Sequence, residues 1–353
     1  MTTRSGRGRT APRIPLNTFA ISFGIAGLAA LWSTLTAVLE LPQTVPLILW
    51  GGAGLAWGWL IVAHTHRGAH STETLRSQLQ HPAQGPIAAI VPAVGMLLGA
   101  ELHTVWPLGG TVLALASLVA AVIFAGWMLA YWHGGNLNPE AFHGAYLLPT
   151  VAAALIGSTV AARLELPGIA IGAFAVGGFF WVVLVTVLLS RLAFFPALPD
   201  ALTPTLAILI APPAVAGAAW FAMNGVRADL VSTCLLGILA LMLVMQLFLL
   251  GTYRRLPFTL GYWSFTFPVA AAAGYGVQWL SLAPFEGWQA VAVVVAAVAT
   301  VPVVAIGLRS LVLVTSVRRG ARRAEQSLRR ADDAVRRPVP ARDDATGVRP
   351  PHE

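Results

Sequence analysis

The side chains that ordinarily carry out chemistry are few in this sequence, and their spacing mostly excludes functions. His64, His66 and His70 form H-x-H-x-x-x-H with Glu73 close behind. Neutral imidazoles beside a carboxylate can ligate a transition metal, but these lie in a polar stretch between apolar runs and are read as an ordinary loop. No metal site and no cofactor are expected. Asp332–Asp333 and Asp343–Asp344 are paired carboxylates, yet both sit in an arginine-rich tail remote from any apolar pocket. Glu40, Glu101, Glu165 and Glu286 fall at or near the ends of apolar runs. Cys234 is the single cysteine and can form no internal disulfide. No nucleophile-elbow, zinc-protease or phosphate-loop sequence occurs.

The apolar runs themselves carry the information. Of 353 residues, 57% are hydrophobic and only 10% charged, and the mean hydropathy is +0.75. A soluble domain carries about 25% charged residues, so this chain is read as an all-α integral membrane protein. Ten apolar segments are long enough to span, at roughly 16–37, 44–64, 84–102, 110–132, 144–163, 168–190, 203–222, 230–251, 259–281 and 288–315. The first is read as a retained helix, because no clear cleavage site follows Trp32. Domain boundaries follow: a basic N-terminus (1–15), a ten-helix domain (16–316) and an Arg-rich tail (317–353). In the tail Ala321, Ala324, Leu328, Ala331 and Val335 recur at helical spacing. That permits an amphipathic helix on an anionic membrane surface; a solvated, partly disordered tail is the reading preferred.

All 22 basic residues are arginine and the net charge is +8. With ten spans, twenty of the arginines fall on one side and only Arg163 and Arg227 on the other. This asymmetry places both termini in the cytoplasm of a multi-pass plasma-membrane protein. It also explains the basic composition without nucleic acid, which is not expected as a partner.

Prolines deep in a span free a backbone carbonyl that must be buried or face water. They occur at Pro92, Pro149, Pro212, Pro213 and Pro268, all in odd-numbered spans, while the first span carries Gly24 and Gly27 instead. Pro302 in the tenth span breaks the pattern. This is a helix hairpin repeated five times. It predicts five kinked inner helices around a central pore and five straighter outer ones. Ionisable residues are nearly absent from the span interiors. Polar content at depth is limited to Ser22, Thr150, Ser264, Thr266 and Gln246. A proton relay needs an ionisable group at depth. A membrane-embedded prenyl or acyl transferase would need clustered acidic or histidine residues at one face. Neither is evident, so the chain is not expected to be an enzyme.

Three strings then become specific: NPEAFHGAYLLPTVAAALIG from Asn138, LTPTLAILIAPPAVAG from Leu202 and LPFTLGYWSFTFPVAAAA from Leu256, with His81-Pro82 ahead of the third span. Together they resemble the tellurite-resistance/C4-dicarboxylate transporter family, which includes bacterial tellurite-resistance permeases, fungal malate and sulfite transporters and plant slow anion channels. The resemblance covers about residues 16–315. It implies ten helices, a pore in each protomer of a homotrimer, and a phenylalanine gate in the ninth helix. The family's aromatic-x-aromatic-T-F-P string falls on Trp263 to Pro268, which makes Phe267 the gate and Pro268 the kink that aims it. Ser264 and Phe265 depart from the commonest form and leave substrate preference open.

The expected function is passive passage of small inorganic or carboxylate anions, as a channel or uniporter. The alternative is a proton-coupled transporter or exporter of C4-dicarboxylate, sulfite or tellurite. The expected pore-lining and kink residues are Gly24, Gly27, Pro92, Pro149, Thr150, Pro212, Pro213, Thr266 and Pro268. Arg191, Arg254 and Arg255 are expected to supply vestibule charge. The partners expected are the anion, the lipid bilayer and two further copies of the chain.

Overall fold

The computed structural model describes residues 13–336. Arg4, Arg7, Arg9 and residues 337–353 of the tail lie outside that range. The described residues form helices only: α1 (Ala20–Val38), α2 (Thr44–Ala69), the short α3 (Leu75–Leu79), α4 (Ile90–His103), α5 (Pro107–Tyr131), α6 (Ala153–Arg163), α7 (Pro167–Phe194), α8 (Ala211–Asn224), α9 (Leu230–Tyr253), α10 (Thr266–Leu282) and α11 (Trp288–Arg336). The backbone of the tail is thus helical as far as Arg336, in keeping with its three-to-four-residue apolar spacing. The chain divides into two units, one through Gly307 and one from Leu308; the packing described below is that of the first.

Among the described residues, nine helical segments are long and apolar enough to cross a membrane, and each lies within a few residues of an expected span. The α10 segment is not among them. Its α-helical part has 17 residues and mixes aromatics with small residues, which lowers its hydropathy.

Burial separates the nine into two kinds. The segments containing α1, α4, α6 and α8 have 56, 61, 83 and 78% of their apolar core window buried, while those of α2, α5, α7, α9 and α11 have 17–28%. The buried helices touch one another in a closed circuit: α1 against α4, α4 against α6, α6 against α8, α8 against α10, and α10 against α1. Each exposed helix lies on a buried neighbour, α2 on α1, α5 on α4, α7 on α6 and α9 on α8. Ala292, Ala296, Ala299 and Val303 form a small-residue face of α11 that joins a core with Leu28 and Leu31 of α1 and Ala270 and Val277 of α10.

The prolines of the buried helices do something more specific than kink a continuous α-helix. Each of these helices is preceded by a segment of different pitch: tighter 3₁₀ turns at Leu16–Phe19, Gly85–Ala89, Gly144–Leu147, Thr203–Ile210 and Leu260–Phe265, and a wider π turn at Leu148–Ala152. Pro92 and Pro268 are the third residues of α4 and α10, and Pro212 and Pro213 the second and third of α8. A proline at these positions cannot donate to the carbonyl four residues back and its ring crowds that carbonyl. The chain ahead of it therefore adopts a different hydrogen-bond pitch, and the α-helix begins at the joint. Carbonyls of these lead-in turns and the first α-helical turn also accept from side chains. Gln246 of α9 donates from Nε2 to the Leu206 oxygen at 3.0 Å, and its Oε1 accepts from the Tyr253 hydroxyl at 2.7 Å. Ser22, Thr205 and Thr266 donate to carbonyls three residues back.

The α1–α2 and α6–α7 corners use the same tetrapeptide, Leu39-Glu40-Leu41-Pro42 and Leu164-Glu165-Leu166-Pro167. In both, the leucine amide after the glutamate reaches back five residues at 2.9 Å, Leu41 to Thr36 and Leu166 to Ala161. The glutamates sit in the left-handed region, with φ 53° at Glu40 and 57° at Glu165. This is the helix-terminating arrangement that glycine normally occupies. A left-handed L residue costs roughly 1–2 kcal/mol, against about 0.5–1 kcal/mol of extra unfolded-state entropy for glycine. Glu40→Gly and Glu165→Gly are each expected to raise stability by about 0.5–1 kcal/mol, read as an upward shift in thermal unfolding in detergent. A lowered midpoint would show that the glutamate side chains do more than turn the corner.

Candidate functional site

The circuit of buried helices leaves space along its middle, and helical periodicity decides which side chains face it. On α10 these are Phe267, Ala270, Ala271, Gly274 and Gln278; on α1 they are Gly27, Ala30, Leu31 and Thr34; on α6 they are Ile156, Thr159, Val160 and Arg163. Each set follows the three-and-four spacing of one helix face. Together with residues of α8 they enclose a cavity of about 270 Å³ toward the C-terminal ends of these helices. A second cavity of about 180 Å³ lies toward their N-terminal ends and is lined by the 3₁₀ segments, with Asn17, Gln84, Thr205 and Ser264 as its polar groups. Phe267 lines both cavities.

The Phe267 ring is buried and lies flat on the ring of Phe23, with centroids 3.8 Å apart and planes 10° from parallel. Phe23 stands one helical turn before Gly27 on the same side of α1. Gly27 is required there: a Cβ at this position would come within 2.8 Å of Phe267 Cδ2 and 3.1 Å of its Cα. The Phe267 ring thus occupies the space that a side chain at 27 would need, and Phe23 closes its other face.

The remaining residues expected at the site distribute differently. Pro268 lines the N-terminal cavity. Gly24 permits a close approach of α10, since a Cβ would meet Thr266 Oγ1 and the Trp263 ring; the Thr266 hydroxyl itself donates to the Trp263 carbonyl at 2.7 Å. Both residues pack the seam between α1 and α10 without lining either cavity. Pro92, Pro212 and Pro213 serve the helix joints. Pro149 and Thr150 face a groove shared with Leu118, Val122 and Phe180 on α5 and α7, away from the space that Phe267 divides. Their place in the sequence string matched the other helices, but the π turn at 148–152 rotates them outward.

Neither cavity is lined by Arg191, Arg254 or Arg255. Arg254 and Arg255 are exposed beyond the end of α9. Arg191 is 4% exposed and its guanidinium is a strut: Nε and Nη2 donate to the Glu140 carbonyl at 3.2 and 2.9 Å, and Nη1 donates to the Pro196 carbonyl at 2.8 Å. Beside it lies His143, fully buried just ahead of the sixth helix's lead-in turns. Burial holds this imidazole down at about 4, the Arg191 cation acts in the same direction, and the Pro82 carbonyl opposes both. Its Nδ1 accepts from the Ala145 amide at 3.4 Å, which only the neutral ring can do.

Two site residues escaped the sequence reading. Phe23 is one apolar residue among many in the first span, and no spacing rule announces a stacking partner 244 positions away. Arg163 was set down as a lone charge on the sparse side; it is the only charged side chain among the described residues lining either cavity. The histidines of the 64–70 stretch serve structure. His64 Nε2 pairs with Gln78 Oε1 at 2.9 Å, and Gln78 in turn donates to the Ile14 carbonyl. Among the described residues no cluster of metal-ligating side chains occurs.

The family model "SLAC1: Voltage-dependent anion channel" matches residues 13–310, nearly the range over which the motifs resemble the tellurite-resistance/dicarboxylate transporters. A tellurite resistance protein TehA homolog of Haemophilus influenzae is 25% identical over 74% of this chain and 79% of its own length. The S-type anion channels SLAH2 and SLAH3 of Arabidopsis thaliana are 23% and 24% identical over 83% and 85% of this chain. The chain spans 58% and 48% of the length of these two plant proteins.

Two outcomes follow from the Arg191–His143 corner. Arg191→Met removes three donors from the part-buried Glu140 and Pro196 carbonyl contacts and is expected to cost about 1–3 kcal/mol, read as a lowered unfolding midpoint, whereas a vestibule residue would leave the midpoint unchanged. Because His143 is neutral when folded and gains a proton near 6.5 when unfolded, stability is expected to fall as pH drops from about 6.5 to about 4. His143→Gln should flatten that slope in thermal unfolding; an unchanged slope would move the titration to another group.

Proposed function

The chain belongs to the voltage-dependent anion channel family, and on that premise we propose that it passes small anions down their electrochemical gradient through a pore along the axis of the helix circuit, with Phe267 as the gate. The observation that carries this reading is that the same ring lines two cavities, one toward each end of the inner helices. In this reading α10, with the turns at Leu260–Phe265, is the fifth inner helix, α11 lies outside it, and the ten helices form five hairpins. The arginine asymmetry supports cytoplasmic termini in a plasma-membrane protein, in which case the cavity lined by Ser264 opens inward and the one lined by Arg163 outward. Three copies, each with its own pore, form the assembly that the family resemblance implies.

The physics supports a ring that moves. An apolar constriction excludes water, and a partly hydrated anion cannot cross it without losing solvent. Stacking of two aromatic rings contributes only about 0.5–1.5 kcal/mol beyond area burial, so parting Phe267 from Phe23 is within reach of a modest conformational drive. The Gly27 approach closes one direction of movement, and the ring must swing away from α1. No carboxylate lines either cavity among the described residues, so nothing there repels an anion.

The test is to reconstitute the protein and record anion currents for wild type and Phe267→Ala across a panel of anions. Phe267→Ala is expected to raise the current more than ten-fold, and Phe23→Ala to raise it by less, because Phe267 still fills the constriction. No current in either, together with uptake of malate or sulfite driven by a pH gradient, would overturn the passive pore in favour of coupled transport and return Phe267 to a packing role.

A further inference from the structure

Arg163 closes α6 with its side chain at the rim of the larger cavity, seven residues beyond Ile156 on the helix face that lines it. Gln278 stands at the same rim on α10, about 16 Å beyond Phe267 at the helical rise of ~1.5 Å per residue. The two threonines on this lining are already committed: Thr34 donates to the Ala30 carbonyl at 3.0 Å and Thr159 to the Leu155 carbonyl at 3.1 Å. The other arginine beyond a C-terminal end of the inner helices, Arg227, is paired with Asp229 at 3.8 Å, and that carboxylate also accepts from Trp220 Nε1 at 2.8 Å and the Ser232 amide at 2.9 Å. Arg163 has no such partner among the described residues: it makes no ion pair or hydrogen bond there, and Glu101 on α4 acts on it only through space. One arginine therefore has an ion-pair partner and the other is left with its donors free over a cavity lined by no other charged residue among those described.

We infer that Arg163, on the same cavity lining as Gln278, is an anion-docking site that collects substrate ahead of the Phe267 constriction and favours oxyanions. This rests on the reading that the larger cavity belongs to the conduction path. A guanidinium presents a planar fork that matches two oxygens at once, and lysine cannot reproduce it. A halide takes only one point of that fork. An unpaired cation at an apolar mouth also concentrates counter-ions and steers them inward, an effect that salt screens. Because the opposite cavity has no charged lining residue among those described, this recruitment acts from one face only.

The experiment uses the full-length chain carrying Phe267→Ala in planar bilayers, with nitrate or chloride supplied to one face at a time. Arg163→Gln is expected to lower the current of anions arriving at the Arg163 face about three- to ten-fold at low salt (~0.01 M), to approach parity near 1 M, and to spare current from the opposite face. Arg163→Lys should retain the recruitment but lose the preference of nitrate over chloride. Glu101→Gln should shift current upward from the same face. Equal currents for Arg163→Gln and its parent at low salt overturn the site, and an unaltered nitrate preference in Arg163→Lys overturns the oxyanion assignment. Failure of the pore itself is read separately. If Phe267→Ala conducts nothing, nitrate-dependent thermal stabilisation of the wild-type chain in detergent still reports on the site. Its loss in Arg163→Gln supports docking without conduction, and its absence in wild type rejects docking.

Discussion

Backbone hydrogen bonding in a medium without water is the constraint on which the rest of this architecture depends. In hydrocarbon every free carbonyl or amide must be met from within the protein. The buried helices violate that demand at their prolines and in the 3₁₀ and π turns ahead of them. Such segments are tolerable only where neighbours cover them and supply donors. Gln246 and Tyr253 on α9 do this for the turn at Leu206, and Ser22, Thr205 and Thr266 do it within their own helices. The uninterrupted α2, α5, α7 and α9, mostly exposed, can face lipid because their own ladders satisfy them. Inside and outside thus follow where the backbone leaves the α pitch at the head of a helix, before any side chain is considered for function.

The same joints set the position of Phe267. Pro268 fixes where α10 begins, so Phe267 falls in its first turn, at the level of the circuit where the two cavities meet. Close approach of α1 and α10 then requires small residues at two successive turns. Gly24 accommodates Thr266 and Trp263, and Gly27 accommodates the Phe267 ring. Phe23 completes the packing from below. The ring is held by shape on one side and by a weak stack on the other, an asymmetry that favours movement in one direction.

Nine span positions and the alternation of buried with exposed helices were legible in the sequence, because hydropathy and proline placement act through local backbone chemistry. What was not legible depends on how helices rotate against one another. Pro149 and Thr150 occupy the expected place in their string, yet a single π turn, which adds a residue to the helical repeat, turns them toward α5 and α7. Arg191 was indistinguishable from Arg254 and Arg255 as a loop arginine; only the folded chain brings the Glu140 and Pro196 carbonyls to its guanidinium. Phe23 needed the α1–α10 contact before its partner could be named. Charges near membrane ends carry topology and function in the same symbol, and only their partners tell the two apart.

That distinction bears on the choice between a passive pore and a coupled carrier. A carrier driven by protons needs a group that changes charge on the substrate path. Among the described residues lining the two cavities the only ionisable ones are Arg163, which stays charged at any physiological pH, and Tyr275, a phenol whose hydroxyl is committed to the Ser232 carbonyl at 2.8 Å. A path built this way can bias which anion arrives and from which face. It has no proton of its own to exchange for the anion, so any coupling would have to ride on a substrate that carries its own proton. On the proposed reading, this lining chemistry supports gradient-driven flow, with any selectivity set at the mouths and the uncharged ring between them.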